Sequence, residues 1–325
     1  MTISDGPIRW GILGTGLIAG VFTEDLLRLP GHDVVAVGSR APHTARAFAE
    51  RHSISKAYGS YAELAADDEI DVVYVATPHT GHYPHAMLCL EAGRAVLVEK
   101  PFTTNAADAE KLVAVARDRG LFAMEAFVTR FNPLIRKLRG LVADGAIGDV
   151  KAVYADFAFP FPYDPSHRIW STDTAGGALL DLGVYPLMFA SMLLGAPGSV
   201  QATAELAPNG VDAGTGMLLG YDSGAIALLH CGLVAQSPTT ATAIGTNGRI
   251  EVAAPFSLPS AMTLHRSGAA PETFTLEFEG NGYTYQAEEV ARCLRAGELE
   301  SPLMPLDETL AILRTVDTVA AQLRS

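Results

Sequence analysis

Ile8-Arg9-Trp10-Gly11-Ile12-Leu13, running into Gly14-Thr15-Gly16-Leu17-Ile18-Ala19, decides the fold. A short apolar run enters a Gly-x-Gly-x-x-Ala turn and an amphipathic stretch leaves it, so the pattern predicts strand, tight turn and helix in succession. In that setting the first glycine permits the turn and the second lets backbone approach a pyrophosphate. The small third residue lets helix and strand pack closely at an amide-rich helix terminus. Gly14, Thr15, Gly16, Leu17 and Ile18 are therefore expected to hold a dinucleotide.

Working outward, strands are expected at 8–13, 34–37, 72–75, 95–98 and 121–124, with helices at 18–29, 42–52, 82–92 and 105–119 between or after them. This β-α alternation predicts an α/β fold beginning with a Rossmann domain, a doubly wound parallel sheet, over residues 1–126. After Asn132 the grammar changes to a helix through Ala143, a long strand from Val150 to Phe159 and a Pro-rich loop. Helical segments around 178–194 follow, then strands near Ala202, Met217, Ile226, Ala241, Ile250 and Phe274, and helices at 285–296 and 306–323. Residues 127–325 read as a C-terminal α+β domain built on one large, mostly antiparallel sheet, serving substrate binding and oligomerisation. A chain of 325 residues is long enough for two such cores.

The end of the second strand selects the cofactor. An NAD site places an acid there, whereas this chain has Gly38-Ser39-Arg40, a hydroxyl and a guanidinium suited to a 2'-phosphate. NADP is the expected cofactor, with Ser39 and Arg40 as its selectors; Asp33 stands at the wrong end of the strand. Glu99-Lys100-Pro101 closes the run Ala95-Val96-Leu97-Val98, and a cation at such a strand end faces the ligand rather than bulk solvent.

The formal net charge of −13 argues against nucleic acid as a partner, and Arg136-Lys137-Leu138-Arg139 reads as a solvated helix face. Met1 to Asp5 lack the basic and apolar regions of a signal peptide, and no stretch reads as long enough to span a bilayer, so a cytoplasmic protein with no membrane partner is expected. Cys89, Cys231 and Cys293 read as reduced core thiols. His79, His82 and His85 spread too widely around a helix interrupted by Pro84 to hold a metal, and none is expected. Ala225 to Cys231 is almost continuously apolar, as for a strand covered on both faces; with few helices at hand to cover the second, a homodimer through this sheet is expected.

Taken in order, the glycine turn, Ala76-Thr77-Pro78 with His82, Glu99-Lys100-Pro101 and Gly176 to Asp181 resemble the Gfo/Idh/MocA oxidoreductase family over nearly the whole chain. Met124-Glu125-Ala126 with Thr129-Arg130-Phe131, Asp181 to Tyr185 and Glu300-Ser301-Pro302 resemble its dimeric dihydrodiol dehydrogenase and NADP-dependent xylose dehydrogenase branch. The resemblance implies a dehydrogenase or reductase that moves hydride between nicotinamide and a carbinol carbon of a sugar, polyol or dihydrodiol. Lys100 and Tyr185 would handle the proton and Asp181 would orient them. Thr77, Pro78, His79, His82 and Glu99 would lie on the cofactor side, with Arg130 on the substrate side. An ammonium beside Tyr185 would favour its phenolate, while Pro186 biases Tyr185 away from helical backbone. The resemblance also implies a cis bond between Lys100 and Pro101.

One departure bears on substrate: the branch commonly carries tryptophan where this chain has Val128. That loss favours polyols or sugars and leaves Phe159, Phe161, Tyr163 and Trp170 to wall the pocket, with His167 and Arg168 as polar contacts. Two other readings remain: a catalytically silent dinucleotide sensor, which has no need of Lys100 and Tyr185, and an aldose/aldose transhydrogenase that keeps its cofactor. Relatives of the latter kind often carry an amino-terminal arm, which the short lead before Ile8 lacks.

Overall fold

In the computed structural model, residues 6–278 and 280–323 are described, and Met1 to Asp5, read above for a leader, lie outside them. The chain divides into two compact units, Met1–Val128 with Phe278–Thr309, and Thr129–Glu277 with Leu310–Ser325.

The first unit carries strands β1 (Ile8–Leu13), β2 (His32–Gly38), β3 (Lys56–Tyr58), β4 (Val72–Val75), β5 (Ala95–Glu99) and β6 (Ala123–Ala126). Helices α1 (Leu17–Leu26), α2 (Pro42–His52), α3 (Tyr61–Ala66), α4 (His79–Glu91) and α5 (Ala106–Asp118) alternate with them. The sheet order is β3-β2-β1-β4-β5-β6, every pairing parallel. Residues of β4 and β5 are buried throughout, as strands covered on both faces must be. The order reverses between β1 and β4, which places the ligand crevice at their carboxyl ends.

Two short elements here carry little periodic signal. The three-residue strand β3 borders the sheet, and α3 is capped by Ser60, whose hydroxyl accepts the Glu63 amide at 3.2 Å in a Ser-x-x-Glu arrangement. Strand β6 is shifted two residues from the expected 121–124, because Ala123 rather than Leu121 pairs with Val96 and the strand runs on to Ala126. Helix α4 starts at His79 and passes through Pro84; that residue stands within its first two turns and is exposed, so the ring is accommodated at the surface.

The second unit is built on strands β7 (Val150–Ala158), β8 (Ser199–Leu206), β9 (Asp212–Gly220), β10 (Ile226–Gly232), β11 (Ala241–Gly245), β12 (Gly248–Val252), β13 (Ala261–Arg266) and β14 (Glu272–Thr275). Their order is β14-β13-β12-β11-β7-β10-β9-β8, antiparallel except for β7 beside β10. Helix α6 (Val128–Phe131) spans the change of unit, α7 (Pro133–Ala143) follows, and α8 (Val184–Leu194) packs on β7. Strand β13 was not anticipated, although Met262 and Leu264 alternate inward along it.

Two expectations need correction, and strand β10 is covered within the chain on one face alone: Ala227, Leu229 and Cys231 point into the core, while Ile226 and Leu228 are 40% and 44% exposed. The alternation follows from one face packing on α8 and the segment before it while the other stays open. Residues Thr172–Leu194 are long and apolar enough to cross a membrane by composition, yet 72% of that window is buried in the unit, where a helix apolar on all sides is a core helix. Nor is 127–325 one continuous domain, since Phe278–Thr309, including α9 (Thr284–Ala296), packs with the first unit. The Asp25 carboxylate accepts the Asn281 and Tyr283 amides at 2.8 Å each, Leu299 supplies its carbonyl to Ala123 on the sheet edge at 3.1 Å, and Arg117 pairs with Glu300 and Asp307. The final helix α10 (Leu306–Leu323) begins in the first unit and ends in the second.

Candidate functional site

In the first unit, Gly14 has φ +115°, and a Cβ there would stand 2.5 Å from the Ala76 carbonyl oxygen. Only glycine meets both conditions. Gly16 caps α1 with φ −75°, and a Cβ on it would meet nothing within 4 Å, so that glycine keeps space open in front of the helix. No side chain caps α1 and no acid occupies its first turn, which leaves the amide end available to an anion. Thr15 and Ile18 are half-buried and Leu17 is 88% exposed beside this opening. These residues fit a dinucleotide pyrophosphate.

At the carboxyl end of β2, Ser39 is buried with its hydroxyl 2.6 Å from that of Thr44, and Arg40 is exposed. Burial raises the Tyr61 phenol, with the charge of Arg40 and a hydrogen bond to it opposing. Burial also lowers His85, as does Arg40, and the His85 ring stands edge-on to Tyr61 at 4.5 Å. Asp33 pairs in register with Arg9 at the far end of both strands. The fold sets Tyr61 and His85, neither of which the sequence marks as a cofactor contact, beside Ser39 and Arg40.

The end of β5 is held with unusual completeness. Glu99 is buried; one carboxylate oxygen accepts the Tyr74 hydroxyl and the other accepts the Lys100 amide at 3.1 Å. The Lys100-Pro101 bond is cis, as expected, and Lys100 itself is half-buried. His82 is 1% exposed, with Nδ1 2.7 Å from the Pro101 carbonyl oxygen and Nε2 2.8 Å from that of Thr77. Burial pushes its pKa down to about 3, helped by His79, so the ring is neutral and brings one N–H to two carbonyls. Both nitrogens face protein backbone rather than a ligand. His79 is buried, its ring edge-on to His82 at 5.8 Å, and Pro78 precedes it as the exposed cap of α4. His85 Nδ1 lies 3.1 Å from the Thr77 hydroxyl.

Within the second unit, Asp181 and Tyr185 lie on successive turns of one helical run, a wide π-type turn at Leu179–Gly183 leading into α8. The expected disturbance by Pro186 is absent: the wide turn relieves the clash between its ring and the preceding turn, so Tyr185 stays helical. Asp181 is buried and Arg168 approaches it at 3.4 Å; the Tyr185 ring packs on Phe157 at 4.8 Å. Phe159 meets Phe157 edge-on at 5.0 Å. Asp212, which sequence reasoning missed, accepts the Leu179 amide at 2.7 Å and the Thr215 hydroxyl at 2.9 Å, and burial raises it to about 6.

The loop expected to wall the substrate divides. Phe161 and Tyr163 are exposed, whereas Trp170 is 2% exposed and donates its indole N–H to the Pro162 carbonyl at 3.0 Å, which makes it an anchor for the loop. His167 is exposed and accepts the Ile169 amide at 3.3 Å. Arg130 is fully buried, as is Val128, the residue standing in place of the branch's tryptophan.

Comparison with known proteins agrees with this arrangement. Residues 8–127 match the family model described as oxidoreductase family, NAD-binding Rossmann fold, and residues 135–251 match the Gfo/Idh/MocA C-terminal domain. The trans-1,2-dihydrobenzene-1,2-diol dehydrogenase of Bos taurus is 41% identical over 312 residues, 93% of this chain and 92% of that protein. The enzyme of the same name from Xenopus tropicalis is 37% identical and covers 97% of this chain and 98% of its own length. Among solved structures, a 3-ketoreductase from Actinomadura kijaniata in complex with NADP and TDP-benzene superposes with a TM-score of 0.86 at 30% identity, covering 98% of each chain.

Proposed function

The chain belongs to the Gfo/Idh/MocA oxidoreductase family, and from that premise we propose that it transfers hydride between NADP(H) and a carbinol or carbonyl carbon of a sugar, polyol or dihydrodiol. The observation that carries this reading is that one sheet presents, at the carboxyl ends of its strands, an open glycine-lined helix end after β1 and a lysine whose backbone amide is held at the end of β5. Bound NADP would supply the hydride acceptor, and its reduced form the donor. The chain's own residues then do the rest. Gly14 to Ile18 cradle the pyrophosphate; Ser39 and Arg40 hold the 2'-phosphate. Lys100 polarises the reacting oxygen and Tyr185 exchanges its proton, with Asp181 orienting the tyrosine and its surroundings. The A. kijaniata 3-ketoreductase was also solved as lysine-to-alanine and tyrosine-to-phenylalanine variants with TDP-benzene and NADP, which supports assigning roles to these two residue types.

The curated relatives act, by name, on trans-1,2-dihydrobenzene-1,2-diol, whereas Val128 in place of a tryptophan removes an aromatic wall and favours a polyol or sugar for this chain. A panel of dihydrodiols, aldoses and polyols, followed by absorbance of the reduced nicotinamide, tests the reading. Turnover on a member of one class assigns it. NADPH binding without turnover on any of them returns the chain to the role of a dinucleotide sensor.

We further propose a homodimer in the cytoplasm, with neither nucleic acid nor membrane as partner. Supporting the dimer, the open face of the second unit's sheet exposes Tyr154, Leu218 and Leu228 around a hollow of about 620 Å³, with Ile226 exposed on the same strand as Leu228. An apolar sheet face of this kind is suited to two-fold packing against its own copy. Supporting the compartment, Cys89, Cys231 and Cys293 are all buried and unbridged.

A further inference from the structure

Three consecutive residues after β5 have a backbone group held by a buried titratable side chain. The Lys100 amide donates to Glu99, the Pro101 carbonyl faces His82, and the Phe102 amide donates to Glu125 Oε1 at 2.9 Å. Glu99 precedes the lysine in sequence, and His82 stands in the first turn of the helix after β4. Glu125 comes from β6, 25 residues downstream, where it pairs in register with Val98. It is 2% exposed, and its second oxygen accepts the Thr309 hydroxyl at 2.9 Å from the first turn of α10. We propose that Glu125 is a positioning residue for Lys100, acting through the Phe102 amide that its carboxyl holds.

The proposal rests on Lys100 being the cation of the reaction, and its physical basis is the expense of the arrangement. Met124 and Ala126 flank Glu125 within a fully buried strand, where an aliphatic side chain would pack without the desolvation cost of a carboxyl. Its placement is also electrostatically adverse. Burial pushes the Glu125 carboxyl up to about 7, and the charges of Glu99 on β5 and Glu308 on α10 act in the same direction. What the carboxyl gains in return is a pair of donors, one on the backbone that leaves the cis bond and one on the helix that closes the first unit. With Glu99 and His82 it fixes both the entry and the exit of the Lys100 turn. A displacement of an ångström in a reacting group costs on the order of 10²-fold in rate, so a side chain that sets this turn acts on turnover more than on affinity.

Hydrogen exchange and steady-state kinetics on four variants test this. In the cofactor-free protein, Glu125→Ala should strip the Phe102 amide of exchange protection, whereas Glu125→Gln, which can still accept that amide and donate to Thr309, should retain it. Glu125→Ala should lower kcat by roughly 10- to 100-fold with KM and NADPH affinity moved less than about threefold, and Glu125→Gln should restore kcat to within about threefold of the parent. In a Lys100→Met background, Glu125→Ala should cost less than about twofold, because the group it positions is gone. An equal loss in both backgrounds, or a Gln variant as impaired as Ala, overturns the positioning role while leaving Lys100 in the mechanism. Full turnover by Lys100→Met alone overturns the reading of Lys100 and the positioning role with it.

Discussion

A phenol with an ordinary pKa near 10 is a weak base at neutral pH, so Tyr185 can serve only if a cation stabilises its ionised form. Tyr185→Phe keeps the ring on Phe157 and removes the hydroxyl alone; turnover should fall by roughly 10²- to 10⁴-fold while NADPH affinity holds. Steady-state rates paired with a binding titration check this, and a fully active variant would hand the proton to another group. Arg40→Ala should weaken NADP by roughly 10- to 100-fold and NAD by less than about twofold, the loss expected for charge-assisted bonds to a 2'-phosphate. Competitive titration with both dinucleotides decides it, and equal losses would remove Arg40 as selector. Residues of this sort were legible because their chemistry is tied to a motif: a glycine in a turn, a lysine at a strand end, a guanidinium where an acid usually stands. Glu125 was not. A single carboxyl inside Met124-Glu125-Ala126 has no periodicity, and its partners lie 23 and 184 residues away.

Elements declare themselves when burial is uniform along them. Strands β4 and β5 were read at nearly their observed bounds because both faces are covered and the apolar run is unbroken. Strand β3 escaped notice because three residues give no pattern. The β1–α1 turn separates fold from binding within two residues of each other. Gly14→Ala should destabilise the protein by about 2 kcal/mol or more, through both its positive φ and the Ala76 carbonyl. Gly16→Ala should leave stability within about 0.5 kcal/mol and weaken NADP at least about tenfold, since its Cβ enters only the space reserved for the ligand. Denaturant melts and NADP titrations on the pair test the contrast, which equal stabilities would contradict. Between β1 and β2, the Trp10 indole N–H donates to His32 Nδ1 at 3.0 Å, and burial, with Arg295 assisting, lowers His32 to about 4. A folded pKa below the ordinary 6.5 means the unfolded chain binds more protons between about pH 4 and 6.5, so stability is lost as pH falls through that window. Urea melts at pH 7 and 4.5 should show a smaller acid loss for His32→Gln than for the parent; an equal loss would exclude His32 as its source.

At the scale of the molecule, the open sheet face makes the dimer testable without reference to catalysis. Light scattering should return twice 34.3 kDa, and Leu228→Glu, which sets a charge in the middle of the apolar face, should return the monomer. A parent of monomer mass would refute the proposed assembly. The broad plan, a parallel dinucleotide-binding sheet followed by a mostly antiparallel one, was legible because each sheet type writes its own periodicity. The return of Phe278–Thr309 to the first unit was not, because Asp25 with Tyr283 and Ala123 with Leu299 pair across the whole intervening unit. That return bears on how the chain is made. Synthesis is vectorial, and an N-terminal domain ordinarily completes itself while the ribosome is still at work on the next. Here the parallel sheet, although encoded first, lacks the late partners of Asp25, Ala123 and Glu125 until residue 309 has emerged, so neither unit can be finished before nearly the whole chain has been made.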